Sequence, residues 1–396
     1  MSGRKVFLII DGASDDPIDQ LHGKTPLEAA YKPNIDRLAK IGEAGQLWTI
    51  PDGLIPGSDV ANLMLLGYDP TEFYTGRGPL EAASMNIELC EGDIAFRVNT
   101  VSISDDNRMK DYSAGHISTE ESRKIIESMK PLVDSLGGML YPGVQYRHLM
   151  RRRDGFEIRT FPPHDFIGTP IAELMPGGVI GEIVNESRKL LINHPVNIRR
   201  RENGKNTADA LWPWGQGRAV KLPTLRERYE AKGSLISAVD LIRGIGVLAG
   251  FRILKVPGIT GYFDTNYRGK GEFAVDALKS GDDVVVIHVE ATDEAGHEGE
   301  IDEKVKAIEA VDKEIVGKLL EEISDLAIAI TPDHPTYLKT GKHGSSPVPF
   351  LFADTTKPVR GPELYCERTS LVKPIKGSIL FDRLMNAELL FKDLHN

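Results

Sequence analysis

Three polar side chains follow one short apolar run late in the chain. Leu326 to Ile330 is typical of a buried strand, and Asp333 and His334 come directly after it. His343 lies in the polar loop that continues from there. One carboxylate and two imidazoles beyond a buried strand form a ligand set that suits a divalent metal ion. The alternative is a turn-rich loop with surface histidines, and this stretch alone leaves both interpretations open.

The same arrangement occurs twice more along the chain. An apolar run that starts at Val284 leads to Asp293 and His297, and the first apolar run of the chain leads directly to Asp11. In a helix, the spacing of Asp293 and His297 would place both side chains on one face. Gly296 and Gly299 favour an irregular loop instead, in which both side chains can close on one ion. Three carboxylates at strand ends, together with three histidines, predict a site for two metal ions.

A serine lies at a junction between a loop and a helix. Ser58 follows a loop that Gly53, Pro56 and Gly57 make irregular, and the next residues can form a helix. One interpretation is that the Ser58 side chain caps this helix. The other is that Ser58 is a nucleophile near the positive end of the helix, where phosphate also binds. The local sequence favours the cap.

The composition is that of an ordinary globular protein. Of the 396 residues, 41% are hydrophobic and 27% are charged, and the net charge is −10. The negative charge argues against a nucleic-acid partner, because nucleic acids bind to basic surfaces. No stretch approaches the ~18 apolar residues that a membrane-spanning helix needs. The two cysteines cannot form a disulfide framework, which indicates a reducing compartment, and we expect a cytoplasmic location.

Two sequence patterns divide the chain into domains. Residues 1–73 and 226–396 alternate apolar strand-like runs with helical runs, which is typical of a mainly parallel sheet flanked by helices. Residues 74–225 are richer in alternating, strand-like segments. We therefore predict an α/β core domain that is discontinuous in sequence, with an α+β cap domain inserted into it.

Several elements inside these domains are predicted individually. Apolar spacing and capping residues predict helices over 33–42, 59–66, 119–136, 181–193 and 302–323. Ser118 and Glu121 are placed to cap the helix that begins at Thr119. Alternating patterns over 139–153 and 156–168 predict strands in the inserted domain.

With these residues assembled, the chain resembles the cofactor-independent phosphoglycerate mutases of the alkaline phosphatase superfamily, and their archaeal-type branch most closely. The motifs that carry the resemblance run from end to end: DGASD, PGSDVANLMLLGYDP, GRGPLEA, HVEATDEAGHEG, TPDH and GKHG. The resemblance implies an alkaline phosphatase-like core with Ser58 as the nucleophile. It also implies the ligands of two metal ions, namely Asp11, Ser58, Asp333 and His334 for one ion, and Asp293, His297 and His343 for the other.

The resemblance further implies an activity. The enzyme would interconvert 3-phosphoglycerate and 2-phosphoglycerate in glycolysis and gluconeogenesis, through a phosphoserine intermediate and without 2,3-bisphosphoglycerate. We expect two divalent ions per chain, Mn²⁺ first, although Mg²⁺ and Zn²⁺ also suit mixed oxygen and nitrogen ligands. We expect a small-molecule substrate and neither a nucleic-acid nor a membrane partner, and the oligomeric state stays open. The alternative is a metal-dependent phosphomonoesterase or another phosphotransferase of the superfamily, such as a phosphopentomutase.

A mutase must also retain the half-reacted glycerate, which requires a cap that binds its carboxylate and supplies an acid or base. Arginine suits a bidentate grip on carboxylate or phosphate. The serine motif reads GSDVAN rather than the GNSEVG-like form of the bacterial branch, and the cap pattern differs as well. The sequence therefore does not choose the acid or base among the substrate-binding candidates. They are His116, Arg147, His148, His164, Asp165 and Arg218 in the insert and Lys255 in the core, and each could instead be a structural or surface residue.

Overall fold

The computed structural model describes residues 3–368 and 373–388. Its backbone forms two compact units. We call the unit that contains the stretches before Thr75 and after Lys221 the core unit, and Thr75–Lys221 the inserted unit. Within the described ranges, no helix has the length and apolar character needed to cross a membrane.

The strands of the described residues are numbered in chain order. They are β1 (Arg4–Ile10), β2 (Glu43–Trp48), β3 (Ile94–Ile103), β4 (Met109–Asp111), β5 (Met139–Tyr141), β6 (Arg147–Arg152), β7 (Ala210–Arg218), β8 (Gly233–Ile236), β9 (Arg252–Ile253), β10 (Val284–Val289), β11 (Leu326–Thr331), β12 (Thr336–Tyr337), β13 (Lys342–His343), β14 (Val348–Asp354) and β15 (Ile375–Lys376).

The helices are numbered in the same way. They are α1 (Pro26–Ala29), α2 (Pro33–Lys40), α3 (Ser58–Leu65), α4 (Pro70–Phe73), α5 (Arg77–Ser84), α6 (Thr119–Ser135), α7 (Ile171–Leu174), α8 (Gly178–Leu191), α9 (Pro195–Glu202), α10 (Leu225–Tyr229), α11 (Asp240–Leu248), α12 (Tyr267–Lys279), α13 (Ala291–Glu298), α14 (Ile301–Ala310), α15 (Gly317–Glu322) and α16 (Ser378–Asn386). Two 3₁₀ segments, Asp19–Leu21 and Pro163–Phe166, and one π segment, Val311–Val316, complete the set.

Eight strands of the core unit form one sheet in the order β15-β2-β14-β11-β1-β10-β8-β9. The central strand β1 pairs in parallel with β10 on one side and β11 on the other. Only β14 runs antiparallel to its neighbours, β11 and β2. The strands β10 and β11 are buried along their whole length, which explains why nearly all of their residues are apolar. The predicted α/β fold with a mainly parallel sheet is confirmed.

The core of this unit fixes where the central strands end. Val6, Leu8 and Ile10 of β1 belong to one buried apolar cluster with Ile35 and Leu38 of α2. The same cluster includes apolar residues of α12, of the π segment and of α15. Helices packed on the sheet in this way hold the strand ends in a fixed register, which the functional residues then share.

The inserted unit is built on an antiparallel sheet with β3 at its centre, between β6 and β7. Phe96 and Val98 of β3 lie in one buried cluster with Ile125 of α6 and Ile183 of α8. Alternation along β3 turns Arg97 to the opposite face, where α5 packs against the sheet. The unit therefore has an apolar face covered by α6 and α8, and an opposite face that carries charged side chains and contacts α5.

Two local predictions are corrected by the structure. Residues 156–168 form no strand and contain the 3₁₀ segment Pro163–Phe166, because consecutive prolines cannot donate to a strand ladder. The helix expected over 302–323 is divided by the π segment. There the Asp312 side chain accepts a hydrogen bond of 2.7 Å from the backbone N–H of Ile35 at the start of α2.

Candidate active site

Parallel pairing brings three carboxylates to one edge of the core sheet. Asp11 follows β1, Asp333 follows β11, and Asp293 lies in α13, which begins soon after β10. Ile10 is paired with Val289, so β1 and β10 end side by side. The side chains of Asp11, Asp293 and Asp333 are almost completely buried. The topology thus concentrates three acidic groups in a small, water-poor volume.

Asp333 is held by three hydrogen-bond donors. Its Oδ1 accepts from the backbone N–H of Gly12 at 3.1 Å and of His334 at 2.8 Å, and its Oδ2 accepts from Asn62 Nδ2 at 2.8 Å. Gly12 has φ +63°, and a Cβ atom there would lie 2.7 Å from the Oδ1 of Asp293. Glycine is therefore required at position 12 for both the turn and the close approach of the carboxylates.

Ser58 is the first residue of α3 and is not its cap. Gly57 occupies the N-cap position in an extended conformation, and no side chain caps the helix. The Ser58 Oγ lies 3.2 Å from His334 Nε2 instead. One turn later, Asn62 Nδ2 donates to the Ser58 carbonyl oxygen at 2.8 Å and joins the serine to the Asp333 carboxylate. The hydroxyl group thus faces the carboxylates at the start of a helix.

Asp293 and His297 both lie in α13, so the irregular loop favoured by the sequence is wrong at this position. Gly296 serves close packing rather than loop freedom, since a Cβ atom there would lie 2.7 Å from Thr336 Cγ2 and 2.8 Å from the Thr336 carbonyl oxygen. The helical spacing places His297 Nε2 3.2 Å from Asp293 Oδ2.

His297 and His343 present their Nε2 atoms to the same carboxylate. His297 Nδ1 lies 2.8 Å from the carbonyl oxygen of Gly341, and His343 Nδ1 lies 3.4 Å from that of Pro56. A carbonyl oxygen can only accept, so each Nδ1 carries the hydrogen. The two Nε2 atoms are 2.9 Å apart, and His343 Nε2 is 3.4 Å from Asp293 Oδ1. Two nitrogen atoms therefore converge beside one carboxylate.

His334 lies between the carboxylates and is fully buried. The Thr336 hydroxyl donates its one hydrogen to Asp293, so it can only accept from His334 Nδ1, which lies 3.3 Å away. The lone pair of His334 Nε2 consequently faces Asp333 Oδ2 at 3.5 Å and Asp11 Oδ1 at 3.6 Å. Burial lowers the pKa of His334, which favours this neutral form.

The three buried carboxylates give the site an excess of acidic groups. Burial, followed by the charges of Asp333 and Asp293, raises the pKa of Asp11 well above its ordinary value. Burial also acts to raise the pKa of Asp293, but hydrogen bonds from His297 and His343 hold it well below its ordinary value. The pKa of His297 rises to about 9, since its contact with Asp293 outweighs burial. Among the described residues, only histidines form ion pairs with the three carboxylates.

The donor set fits divalent metal ions. Oδ1 of Asp11 is buried and has no hydrogen-bond partner in the described parts of the chain. Carboxylate oxygens and imidazole nitrogens are ordinary ligands of such ions. Two groups have ligand atoms that lie within 4.8 Å of one another, namely Asp11, His288 and Asp333, and Asp293, His334 and His343.

All seven sequence-predicted metal and nucleophile positions thus lie together at this sheet edge. The two groups of neighbouring ligand atoms differ from the ligand sets expected from the sequence. His334 lies in one group with Asp293 and His343, and it also contacts Ser58. The sequence analysis missed His288. Its signal was a single histidine within the otherwise apolar strand β10.

The inserted unit carries a cationic–aromatic cluster, formed by Arg77, Arg97, Arg147, Tyr146 and Trp214. The guanidinium carbons lie 5.2–5.9 Å from the centroids of the two rings. Glu81 pairs with Arg77 and Arg97. Arg147 Nε is buried and has no hydrogen-bond partner among the described residues. The cluster therefore has more positive than negative charge, and Arg147 is the one member that the sequence predicts as a substrate-binding residue.

The other cap candidates lie in different surroundings. His148 is buried on the apolar face, with its ring nitrogens 2.7 Å from Ser122 Oγ and 3.1 Å from the Gly143 N–H, which favours a structural role. His164 is exposed and its ring contacts that of Trp214. The remaining candidates are all exposed: His116 at φ 47°, Asp165 beside His164, Arg218 over the Phe156 ring, and Lys255 in the core unit.

Arg147 lies beside the middle of β3 and Arg218 beside its first residue. Arg147 is paired with Asn99, and Arg218 with Ile94. Five residues of strand separate these positions by about 17 Å. One small substrate group cannot contact both arginines through such a span.

Comparison with known proteins identifies the relatives of this chain. The family model described as 2,3-bisphosphoglycerate-independent phosphoglycerate mutase matches residues 39–197. The protein of that name from Methanosarcina barkeri is 50% identical, over 88% of this chain and 90% of its own. A probable mutase of the same description from Geobacter sulfurreducens is 47% identical, over 92% of this chain and 94% of its own.

Two solved structures extend the similarity to the fold. The PH0037 protein of Pyrococcus horikoshii superposes with a TM-score of 0.76 at 31% identity and 98% coverage of both chains. The cofactor-independent phosphoglycerate mutase of Thermoplasma acidophilum gives a TM-score of 0.64 at 27% identity, over 97% of this chain and 99% of its own.

We expect Gly12→Ala to destabilise the core unit more than Gly23→Ala. Both glycines have positive φ, but a Cβ atom at Gly23 would meet nothing within 4 Å. The control therefore reports backbone strain alone, at about 1–2 kcal/mol, and Gly12→Ala adds the displacement of Asp293 and Thr336. Urea unfolding followed by circular dichroism measures the difference. Equal losses would contradict the close approach described for Gly12.

Proposed function

This chain belongs to the 2,3-bisphosphoglycerate-independent phosphoglycerate mutase family, and from that premise we propose that it interconverts 3-phosphoglycerate and 2-phosphoglycerate through a phosphoserine at Ser58. Its mutase relatives make it an isomerase. The observation that carries the proposal is the position of the Ser58 hydroxyl, at the start of α3 and 3.2 Å from His334 Nε2, beside the buried carboxylates. The activity would serve glycolysis and gluconeogenesis, in the cytoplasm.

We assign the metal sites to the seven residues brought together at the sheet edge. Asp11, Ser58, Asp333 and His334 are the proposed ligands of one ion, and Asp293, His297 and His343 those of the other. Divalent ions bound there would stabilise negative charge on the transferring phosphoryl group and lower the pKa of the Ser58 hydroxyl. Mixed oxygen and nitrogen ligands suit Mn²⁺, which we propose as the working ion, as well as Zn²⁺ and Mg²⁺.

The chain's own residues would carry the transfer in two half-reactions. The Ser58 hydroxyl loses its proton and Oγ attacks the phosphorus of 3-phosphoglycerate, the bond from phosphorus to the 3-oxygen breaks, and that oxygen takes a proton. The 2-hydroxyl then loses a proton and attacks the phosphoserine, the bond from phosphorus to Ser58 Oγ breaks, Oγ takes a proton, and 2-phosphoglycerate leaves. Atoms and protons balance without 2,3-bisphosphoglycerate. The N-terminal end of α3 favours the negative charge that develops at Ser58.

The cationic–aromatic cluster of the inserted unit is the proposed binding surface for the substrate anion. Its net positive charge and the unpaired Nε of Arg147 suit a carboxylate or phosphate. Arg97 is buried and paired with Glu81, so it is fixed in position. The cluster therefore supplies an oriented guanidinium group, which a mutase needs in order to retain the glycerate between half-reactions.

Ser58→Ala tests the nucleophile. We expect the loss of both 3-phosphoglycerate isomerisation and p-nitrophenyl phosphate hydrolysis, because both require the same phosphoenzyme. Both are assayed in Mn²⁺ without 2,3-bisphosphoglycerate. The control Ser118→Ala removes the side-chain cap of α6, which should cost about 1 kcal/mol of stability and leave both rates unchanged. Isomerisation that survives in Ser58→Ala would refute the phosphoserine, and hydrolysis without isomerisation in the wild type would make the enzyme a phosphomonoesterase.

Removal of metal tests the ion sites. We expect prolonged dialysis against a chelator to abolish isomerisation and added Mn²⁺ to restore it. Asp293→Asn should lose activity that excess Mn²⁺ does not restore, because the amide cannot supply the negative charge that Asp293 holds between His297 and His343. Circular dichroism checks that the variant is folded. Full activity of the dialysed enzyme in excess chelator would exclude the two-metal proposal.

Arg147→Met and Arg218→Met distinguish two positions along β3, the middle of the strand and its first residue. A charge-assisted hydrogen bond is worth about 1.5–3 kcal/mol, so we expect Arg147→Met to reduce mutase kcat/KM roughly ten- to a hundred-fold. Hydrolysis of p-nitrophenyl phosphate should fall less, because it does not require retention of glycerate. Arg218 is exposed and about 17 Å away along the strand, so its variant should lose less. A larger loss in Arg218→Met would place the substrate at the other end of the sheet.

A further inference from the structure

His288 is a fully buried histidine inside the central sheet. It is the one polar side chain of β10, and it lies beside Ile9 of β1. Its Nε2 is buried and has no hydrogen-bond partner within the described ranges. Leaving such an atom unsatisfied costs free energy, so its position calls for an explanation.

The other ring nitrogen of His288 is held by a buried carboxylate. Nδ1 lies 3.1 Å from Glu290 Oε1. Glu290 also accepts from Ser237 Oγ and from Lys270 Nζ, each at 2.8 Å, and Lys270 is fully buried. Glu290 is therefore a carboxylate that can only accept, so Nδ1 of His288 carries the hydrogen.

This tautomer turns the Nε2 lone pair of His288 toward carboxylates. Nε2 lies 3.4 Å from Asp11 Oδ2, and the ligand atoms of His288, Asp11 and Asp333 lie within 4.8 Å of one another. A lone pair is repelled by ionised carboxylates, whereas a cation among them would keep Asp11 ionised and accept the lone pair of Nε2. Asp11 also has a buried oxygen without a hydrogen-bond partner in the described chain, so two unsatisfied atoms meet in one three-residue group.

The arrangement repeats that of the three other site histidines. His297, His334 and His343 each have Nδ1 beside an oxygen atom and Nε2 turned toward the carboxylates. In metal sites, such outer hydrogen bonds fix the tautomer and orientation of the ligating imidazole. Glu290 is the outer partner of His288, as Thr336 is that of His334.

We propose that His288 is a fourth histidine ligand, which binds through Nε2 the ion held by Asp11 and Asp333. Glu290 is its positioning residue, and the ion pair between Lys270 and Glu290 holds that carboxylate in place. The inference rests on the metal site of the proposed function and adds to it a ligand from the interior of a strand.

Zn²⁺ titration of the full chain tests the assignment. We compare the wild type with His288→Asn and with the control His22→Asn, which changes an exposed histidine at φ 57°, a conformation that asparagine tolerates. After removal of metal, calorimetry gives the affinities and elemental analysis gives the ions per chain. We expect two ions per chain in the wild type and in the control. In His288→Asn, we expect the affinity for one of the two ions to be at least about 10–100-fold weaker than in the wild type.

Two outcomes of this titration separate the proposals. If His288→Asn is folded and binds two ions with wild-type affinities, His288 is not a ligand, and the proposed function stands. If the wild type binds no Zn²⁺, the metal site of the proposed function fails and this inference fails with it.

A measurement on the wild type covers the case in which His288→Asn does not fold. The chain contains ten histidines, and their ring nitrogens can be labelled with ¹⁵N and followed by NMR during the Zn²⁺ titration. We expect the Nε2 signals of four rings to shift to metal-bound positions, including one ring whose Nδ1–H resists solvent exchange because it is buried against Glu290. Binding by only three rings would overturn the proposal.

Discussion

Mutual repulsion of buried carboxylates is the constraint on which the core unit depends. Asp11, Asp293 and Asp333 lie at one edge of the sheet because β1, β10 and β11 run parallel and end together. Burial in a medium of low dielectric strengthens their repulsion. Hydrogen bonds from Gly12 and Asn62 to Asp333 offset part of it, and histidine contacts offset more. The remaining imbalance is what a pair of divalent cations would neutralise.

The hydrogen-bond partners of the Nδ1 atoms determine the orientation of the histidine rings in the site. The Nδ1 partners of the histidines come from separate parts of the core unit, including the Pro56 loop, the Gly341 loop and Thr336. Glu290 belongs to the same outer layer and is tied to the buried Lys270. Each partner turns an imidazole so that Nε2 points inward. The inward geometry is thus a property of the folded unit rather than of any single segment.

The inserted unit concentrates positive charge, whereas the core unit concentrates negative charge. Its cationic–aromatic cluster concentrates arginines on one sheet face, with Glu81 as the acid that fixes Arg77 and Arg97. Stacking on Tyr146 and Trp214 places guanidinium groups where fewer water molecules compete for an anion. The net charge of −10 does not predict this positive surface, because a net charge does not specify how charges are distributed.

The sequence by itself determined the sheet edge of the core unit, because apolar runs mark buried strands and the polar residues after them mark the strand ends. That reasoning located Asp11 and Asp333 correctly at strand ends. It could not settle whether Ser58 caps α3 or faces the site, since the contact with His334 joins segments 276 residues apart. It also missed His288, whose neighbours along the strand are apolar. Tertiary structure decided these contacts, because hydrogen-bond partners and electrostatic neighbours depend on distance in space, and sequence spacing specifies that distance only within one regular element.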